Sequence, residues 1–465
     1  MLNRGLDKQE LLRIVDSVAN EKSIDKELIL SSMESAIQKA AYSKFGFDNE
    51  IEATIDRDKG SIKIQKVLQI VEKVEPPYIS TIQFRGATDL SQLPVIRLGG
   101  QLQLSFDALN GEEEDYYYTI THHDFDWSPS DLSKSEYIDG FDDVRIDTYQ
   151  NSVNTLQIFS HYELTIPNRD TRAIEKSGNY LLSIFNSDGE LVFTRKFLVI
   201  ENIASVGVEI KRARDLRVIE EKQVVHFTIN SPNLLLVNPK QTVKTLVLQN
   251  SNLKTAITDL VPQYTMGNEL IYRYDKEASF GGGNEFLAFD NKDERSATNG
   301  VRSIDLTDVY ENYLYTNIPR YNRPYTYNPD INGNFVVRNV DARNQDLEAE
   351  YVRMHFNLQY YEDLEDKELH IYGNFNNWTI DGSTYMKYDP KSDTYRNERL
   401  FKQGFYNYKY VVVNRDGSID EGAVSGDFWQ TENDYTVIVY FRDLGARYDR
   451  IIGTGYANST NISNN

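Results

Sequence analysis

The chain has 465 residues, of which 40% are hydrophobic and 26% are charged, and this composition predicts a folded protein with room for about three domains. The formal net charge of −21 disfavours a large nucleic-acid-binding surface, because non-specific nucleic-acid binding depends mainly on clustered cations. The absence of cysteine excludes disulfides, thiolate zinc sites, iron–sulfur clusters and cysteine nucleophiles.

The first 75 residues differ in composition from the rest of the chain. Of the 32 tyrosines only Tyr42 precedes the Pro76-Pro77 pair, and all three tryptophans follow it. Two consecutive prolines remove two backbone donors and favour an extended conformation in the residue before them. We therefore predict a domain boundary here, with a first segment over residues 1–75.

Two helices and a hairpin are predicted within residues 1–75. Apolar residues recur at helical spacing over 11–18 and again over 29–41, and Asp25 is a suitable N-cap for the second helix. The apolar spacing then changes to every second residue over 51–64, on both sides of a turn at 56–60. The segment is therefore predicted to be a small α+β unit of the helix-helix-hairpin type.

The same segment resembles a known family. Residues 18–25 read VANEKSID and residues 33–41 read MESAIQKAA, and on these stretches residues 1–74 resemble the N-terminal domain of the bacterial transcription factor NusA. In that family the domain binds RNA polymerase near the RNA exit channel and prolongs pausing. The resemblance implies RNA polymerase as a partner and a role in transcription elongation or termination. The RNA-binding modules of the family have no recognisable counterpart downstream, and we expect no direct contact with nucleic acid.

The remainder of the chain is predicted to be mainly β. Apolar and polar residues alternate in short runs, for example over 101–106 and 224–229, and turn signals such as Asn110-Gly111 and Asn332-Gly333 separate the runs. This pattern predicts serial immunoglobulin-like β-sandwich domains. The predicted divisions are a first sandwich over 76–202, a middle sandwich over 203–345 that ends in a long irregular connection, a C-terminal sandwich over 346–445, and a tail over 446–465.

The sequence contains no pattern that indicates an enzyme, and we predict no catalytic, cofactor-binding or metal-binding residues. The His122-His123 pair is a poor metal site, because adjacent residues on a strand point to opposite faces. The glycines at 281–283 are not followed by the Gly-Lys-Ser/Thr of a phosphate-binding loop. A non-enzymatic role is therefore predicted.

Two runs in the C-terminal third resemble the glycogen-binding, early-set type of immunoglobulin-like domain. They are IYGNFNNW at 371–378 and QGFYNYKYVV at 403–412. The resemblance implies a carbohydrate-binding module over 350–445, since an exposed aromatic ring can stack on the apolar face of a sugar. The alternative, which we favour, is that Trp378 caps the sandwich core and that Tyr406 and Tyr408 pair across strands. The candidate carbohydrate or interface aromatics are Trp378, Trp429, Tyr406 and Tyr408.

A wider resemblance covers residues 78–455. The motifs that carry it are FDWSPSDL at 125–132, SEYIDGF at 135–141, SGNY at 177–180, GGNEF at 282–286, TENDYT at 431–436 and GARYDR at 445–450. In this order they resemble the plug protein of the type IX secretion system of Bacteroidetes. That family is non-enzymatic, and its members close the periplasmic opening of a large outer-membrane β-barrel translocon. The motif positions that we single out are Trp127, Tyr137, Gly140, Asn284, Tyr435, Arg447 and Tyr448.

The two resemblances imply different cellular locations. Plug proteins are periplasmic, so the resemblance implies the periplasm for residues 78–455. The first residues, MLNRGLDKQELL, do not form a signal peptide, and no run of 18 apolar residues predicts a transmembrane helix. A polypeptide made as written is therefore expected in the cytoplasm. The NusA-like start is interpreted as the result of a gene fusion or of a joined gene model.

Overall fold

The computed structural model describes Lys26, Leu30 and Met33, and residues 50–55, 62–67, 75–86 and 91–462. Contacts divide the chain into two compact units, Met1–Glu72 and Lys73–Asn465, close to the boundary predicted from composition.

In the first unit, Lys26, Leu30 and Met33 are helical, in agreement with the second predicted helix. The first predicted helix lies outside the described residues. Strand β1 (Glu50–Ile55) pairs antiparallel with β2 (Ile62–Val67), so the predicted hairpin is present.

The second unit begins with a β-sandwich whose sheets have the strand orders β3-β5-β10-β9 and β4-β13-β12-β6-β8, next to a small β7-β11 pair. In β5, Leu102, Leu104 and Phe106 are buried, because alternate side chains of a strand face the same side. Rings from both sheets meet in the core, for example Phe106 and Phe193, with centroids 5.2 Å apart. The elements are β3 (Ile79–Gly86), β4 (Val95–Arg97), β5 (Leu102–Ala108), β6 (Tyr117–His123), α1 (Lys134–Tyr137), β7 (Ile138–Gly140), β8 (Val144–Arg145), β9 (Thr148–Asn151), β10 (Ser160–Ile166), β11 (Thr171–Ile174), β12 (Gly178–Phe185) and β13 (Leu191–Ile200).

A second sandwich is built from two distant parts of the chain. One sheet has the order β14-β15-β18-β17, with β19 also paired to β15, and the other has the order β16-β30-β31. Its core combines side chains from both parts, such as Phe227, Tyr272, Tyr435 and Val437. The elements are β14 (Ser205–Arg212), β15 (Lys222–Asn230), α2 (Pro239–Thr242), β16 (Val243–Gln249), β17 (Tyr264–Met266), β18 (Glu269–Tyr272), β19 (Ser279–Gly281), β30 (Asp434–Phe441) and β31 (Arg450–Asn458).

The third sandwich lies in sequence between these two parts. Strand β28 pairs with β20, β23, β25 and β29, and the facing sheet has the order β21-β22-β24-β27-β26. The elements are β20 (Leu287–Asp290), β21 (Val301–Leu306), β22 (Tyr310–Leu314), β23 (Phe335–Val337), α3 (Gln345–Glu348), β24 (Tyr351–Leu358), β25 (Glu368–Tyr372), β26 (Lys387–Asp389), β27 (Thr394–Lys402), β28 (Gly404–Val413) and β29 (Ile419–Asp420).

The mainly β fold and its serial sandwiches are therefore as predicted, but the strands are distributed differently from the expected divisions at 345 and 445. Strands β20 and β23 pair with β28, and β21 pairs with β22, which in turn pairs with β24. All four strands therefore belong to the third sandwich. The expected tail contains β31, which pairs with β30 along its whole length. The local alternation of apolar and polar residues does not show which distant strands pair. The sequence therefore did not predict that the third sandwich is inserted between the two parts of the second.

A buried ion pair joins the first and third sandwiches at what we call the Asp107 seam, formed by Asp107, His161, Tyr351 and Lys402. The Lys402 ammonium lies 2.7 Å from Oδ2 of Asp107, and both side chains are only 1% exposed. The Tyr351 hydroxyl donates to the same oxygen at 2.7 Å. Burial alone would raise the pKa of Asp107, but the positive charge of Lys402 holds this pKa below its ordinary value.

A cluster of apolar side chains contributes to the junction between the first and second sandwiches. Leu198 and Ile200 of β13 pack with Leu246 of β16 and Tyr440 of β30 in one buried cluster. The Tyr440 hydroxyl donates to Asn179 Oδ1 at 2.7 Å, so the polar end of this ring is also satisfied. Burial of apolar area and pairing of buried polar groups both fix this junction.

Replacing Lys402 with methionine should destabilise the protein strongly. Methionine retains an unbranched apolar side chain, but Lys402→Met leaves Asp107 buried without its cation, which typically costs about 3–5 kcal/mol. Urea unfolding should show a correspondingly lower free energy of unfolding.

The matched control is Lys387→Met, which removes an exposed lysine from the same sheet and should change stability by no more than about 0.5 kcal/mol. Equal effects of the two substitutions would contradict a structural role for the Asp107 seam.

Candidate partner-binding surface

Most of the plug-like motif positions lie where the first sandwich meets the C-terminal strands. The Tyr448 ring contacts the His122 ring edge-on at 5.3 Å, and the Arg447 guanidinium forms an ion pair with the carboxylate of Glu136. The Lys196 ammonium lies over the Trp127 ring, 4.8 Å from the ring centroid. The contacts of Arg447 and Tyr448 connect parts of the fold that are more than 300 residues apart in sequence.

Tyr137 and Gly140 shape the segment that Arg447 contacts. Tyr137 ends α1 and is buried. Gly140 has a φ of +110°, and a Cβ at this position would lie 2.0 Å from the main-chain oxygen of Asp170. Only glycine fits here, because other residues would be strained by the φ value and would clash with the backbone.

Asn284 and Tyr435 lie where the chain enters and leaves the third sandwich. The Asn284 side chain donates to the Ser425 main-chain oxygen at 2.8 Å, which ties the two crossings together. The Tyr435 hydroxyl donates to Gln223 Oε1 at 2.6 Å within the second sandwich. Among the motif positions, Arg447 and Tyr448 thus make contacts between sandwiches. Any contact of the motif positions with a partner stays a prediction.

Three of the four candidate carbohydrate or interface aromatics are interior. Trp378 is 4% exposed and packs between Phe286 and Tyr372, with ring centroids 6.0 and 5.0 Å away. Tyr406 and Tyr408 are also buried in the third core. A sugar can stack only on a ring face that solvent reaches, so these three residues offer no platform in this conformation.

Trp429 is half-buried, and both its ring and its indole N–H have partners within the chain. The Arg212 guanidinium lies 4.4 Å above the ring, and the indole N–H donates to Glu220 at 3.1 Å. Of the four predicted residues, Trp429 alone is therefore partly open to solvent, and a guanidinium lies over its ring.

His122 and His123 are bonded to protein groups through both ring nitrogens. His122 lies 2.8 Å from the Ser130 hydroxyl and 3.1 Å from the Ser177 main-chain oxygen. His123 lies 2.7 Å from the Trp127 main-chain oxygen and 2.9 Å from the Thr121 hydroxyl. Burial lowers the pKa of His122 to about 4, so this ring is neutral at ordinary pH.

One edge of the third sandwich carries neighbouring tyrosines that sequence reasoning did not single out. Tyr388 of β26 lies opposite Tyr395 of β27, with ring centroids 5.2 Å apart. Burial, together with the nearby Glu362 carboxylate and Tyr321 hydroxyl, raises the pKa of the Tyr360 hydroxyl to about 12. We call the following residues the tyrosine belt: Tyr321, Tyr360, Tyr361, Tyr385, Tyr388 and Tyr395.

Most of the belt is open to solvent and borders a strongly acidic loop. Tyr361 is 70% exposed, and Tyr321, Tyr385 and Tyr388 are exposed as well. The Tyr321 hydroxyl donates to Glu362 at 2.7 Å, at the start of the loop 362–368, which holds five carboxylates and one lysine. Exposed tyrosines beside a charged rim are typical of protein–protein interfaces.

The long connection before β23 is attached to the third sandwich through a half-buried aspartate. Asp330 accepts the main-chain N–H groups of Phe286 at 2.5 Å and Asn332 at 2.7 Å. Burial raises the pKa of Asp330 to about 7, although the two N–H donors act in the opposite direction. Burial also raises the pKa of the neighbouring Glu285 carboxyl group.

Among the residues that the structure describes, none of the helices has the length and apolar character needed to span a membrane.

The fold, the buried contacts between sandwiches and the tyrosine belt define a class: a mainly β protein of three β-sandwiches held together by buried contacts, with an exposed tyrosine-rich edge.

Comparison with known proteins identifies two families. Residues 79–201 match the family described as the type 9 secretion system plug protein 1st domain, and residues 10–110 match the NusA N-terminal domain. The two matches overlap over 79–110, a stretch whose described strands belong to the first sandwich.

A crystal structure of a hypothetical protein from Parabacteroides merdae superimposes with a TM-score of 0.80 at 32% identity, and covers 83% of this chain and 98% of that one. The chain therefore belongs to the family of that structure, and it carries the plug protein first domain of the type 9 secretion system.

The NusA match is confined to a small part of the relatives. The transcription termination/antitermination proteins NusA of Rickettsia conorii and Rickettsia prowazekii are each 40% identical over 93 residues, which is 20% of this chain and 18% of each of those proteins. The chain thus spans about a fifth of the length of these curated relatives.

The raised pKa of Asp330 predicts that this residue makes stability fall as pH rises. Its ordinary pKa is 3.8 and its folded value is about 7, so between these values the folded state binds the proton more tightly than the unfolded state. The stabilising contribution is complete below about pH 4 and is lost as pH rises towards 7. Asp330→Asn should therefore flatten the pH dependence of Tm between pH 4 and 7.

The control for this experiment is Asp188→Asn, which replaces an exposed aspartate in the first sandwich. An unchanged slope for Asp330→Asn relative to the parent protein would show that Asp330 is not protonated in the folded state.

Proposed function

We propose that the Lys73–Asn465 unit is a non-enzymatic plug of the type IX secretion system, which binds the outer-membrane β-barrel translocon and closes its periplasmic opening. The observation that carries this proposal is the plug-domain match over 79–201, within a unit whose relative from Parabacteroides merdae is covered over 98% of its length. The location that goes with this role is the periplasm.

The way in which the sandwiches are joined suits a plug. A body that blocks an opening must not bend around flexible linkers, and domains in one chain move relative to one another unless their interface is extensive. Here the Asp107 seam fixes the first and third sandwiches, and the cluster around Leu198 and Tyr440 fixes the first and second.

The tyrosine belt is our candidate for the surface that meets the translocon. Tyrosine is among the residues that dominate binding energy at interfaces, because it combines a large apolar ring with a hydrogen-bonding group. The adjoining acidic loop 362–368 favours a partner rim that presents lysine or arginine side chains, since complementary charges steer association.

Affinity capture from an outer-membrane extract tests the proposal directly. The tagged full chain is incubated with detergent-solubilised outer membranes of a Bacteroidetes bacterium, and bound proteins are identified by mass spectrometry. We expect one very large β-barrel protein to be enriched. Enrichment of no such protein would overturn the proposed function.

Substitution in the belt should weaken binding to the captured barrel. Tyr361→Ala combined with Tyr388→Ala removes two exposed rings, and a loss of tenfold or more in affinity is expected, in line with about 1–2 kcal/mol for each interface tyrosine. Titration of the purified barrel with each variant measures the change.

The matched control is Tyr264→Ala, which removes an exposed tyrosine from β17 of the second sandwich and should leave affinity unchanged. A double belt variant that keeps its Tm and binds as tightly as the parent protein would exclude the belt as the contact surface.

A second candidate function rests on the match of residues 10–110 to the NusA N-terminal domain. We propose RNA polymerase as the partner of the Met1–Glu72 unit. The full chain should bind purified bacterial RNA polymerase, and an intact NusA protein should compete for the same site. Absence of binding, or binding that NusA does not displace, would remove this candidate.

A further inference from the structure

A histidine and two carboxylates converge beside the Asp107 seam. They are His161 and Glu163 of β10 in the first sandwich and Asp346 of α3 in the third, and one ligand atom from each lies within 4.8 Å of the other two. None of the three was singled out by sequence reasoning, because Asp346 is far from the other two in sequence.

His161 has the orientation that a metal ligand needs. Its Nδ1 lies 2.6 Å from Oδ1 of Asp107, and its side chain is only 4% exposed. Its Nε2 faces Oε1 of Glu163 at 3.6 Å. Histidines that bind metals usually donate their other ring N–H to a carboxylate, which fixes the tautomer and the direction of the free nitrogen.

We propose that His161 Nε2 and the carboxylates of Glu163 and Asp346 bind a divalent cation of the zinc class, with water completing the coordination. Ligand distances of about 2.0–2.2 Å in tetrahedral geometry place neighbouring ligand atoms roughly 3.4 Å apart. The separation of 3.6 Å between His161 and Glu163 already matches this spacing. The side chain of Asp346 is half-buried, and its ligand atom lies within 4.8 Å of those of His161 and Glu163.

The local charge balance favours a cation. Three carboxylates, those of Asp107, Glu163 and Asp346, surround the group, whereas Lys402 supplies one ammonium, which is already bonded to Asp107 Oδ2 and to the main-chain oxygen of Asp346. Lys402 therefore leaves the Asp346 carboxylate available for a metal. A bound divalent ion would bring the group close to neutrality.

Metal binding would connect two sandwiches. Two ligands come from the first sandwich and one from the third, so the ion stabilises only the state in which they are docked. A ligand that binds the folded state alone raises its stability in proportion to the logarithm of its concentration over Kd. This inference does not depend on the translocon or on the tyrosine belt.

The test uses the full chain, treated with EDTA and dialysed, and titrated calorimetrically with zinc chloride. We expect one equivalent to bind and Tm to rise with zinc concentration. Cobalt(II) should give the intense visible absorption of a tetrahedral site. Asp346→Asn and Glu163→Gln change side chains at least partly open to solvent, and each should lower zinc affinity at least tenfold with Tm of the metal-free protein preserved.

The control is Glu112→Gln, an exposed carboxylate elsewhere in the first sandwich, which should bind zinc as the parent protein does. No heat and no Tm shift with zinc would overturn the proposal. So would zinc binding of equal strength in the parent, Asp346→Asn and Glu163→Gln proteins, because the ion would then be bound elsewhere on the acidic surface.

Discussion

Lysine and aspartate lose their hydration when they are buried, and this loss is tolerated only when each charge finds a close partner. Lys402 comes from the third sandwich and Asp107 from the first, so either charge is left unpaired if the two sandwiches separate. Tyr351 and His161 satisfy the remaining positions of the same carboxylate. The relative placement of the first and third sandwiches therefore depends on one small polar group, and misdocked arrangements are penalised by its unpaired charges.

The topology adds a second constraint. Strands β30 and β31 complete the second sandwich only after the chain has passed through the third, so the second core cannot close without the final strands. The same strands bring Tyr440 against the first sandwich and Arg447 and Tyr448 against its 122–140 region. The motif residues Arg447 and Tyr448 thus have a structural role, because they connect the final strands with the first sandwich.

Local sequence signals predicted local structure well. The alternation at 101–106 and 224–229 became β5 and β15, and the Asn332-Gly333 turn has positive φ at both residues. The pairing partners of the strands could not be predicted, because alternation shows which face of a strand is buried but not which other segment packs against that face. Lys402 illustrates this limit: a lysine is ordinarily read as exposed, and its partner is 295 residues away. The buried position of Trp378 was the favoured interpretation, whereas the belt and the His161 group depend on contacts between distant segments.

The central claim is that the β-sandwich unit closes a translocon pore, and single-channel recording of the purified barrel in a planar bilayer tests it most directly. Addition of the full chain to the periplasmic side should abolish the open-channel current in a saturable manner, and the same amount on the opposite side should have no effect. An open-channel current that persists at saturating protein would contradict the claim, even if the two proteins bind each other.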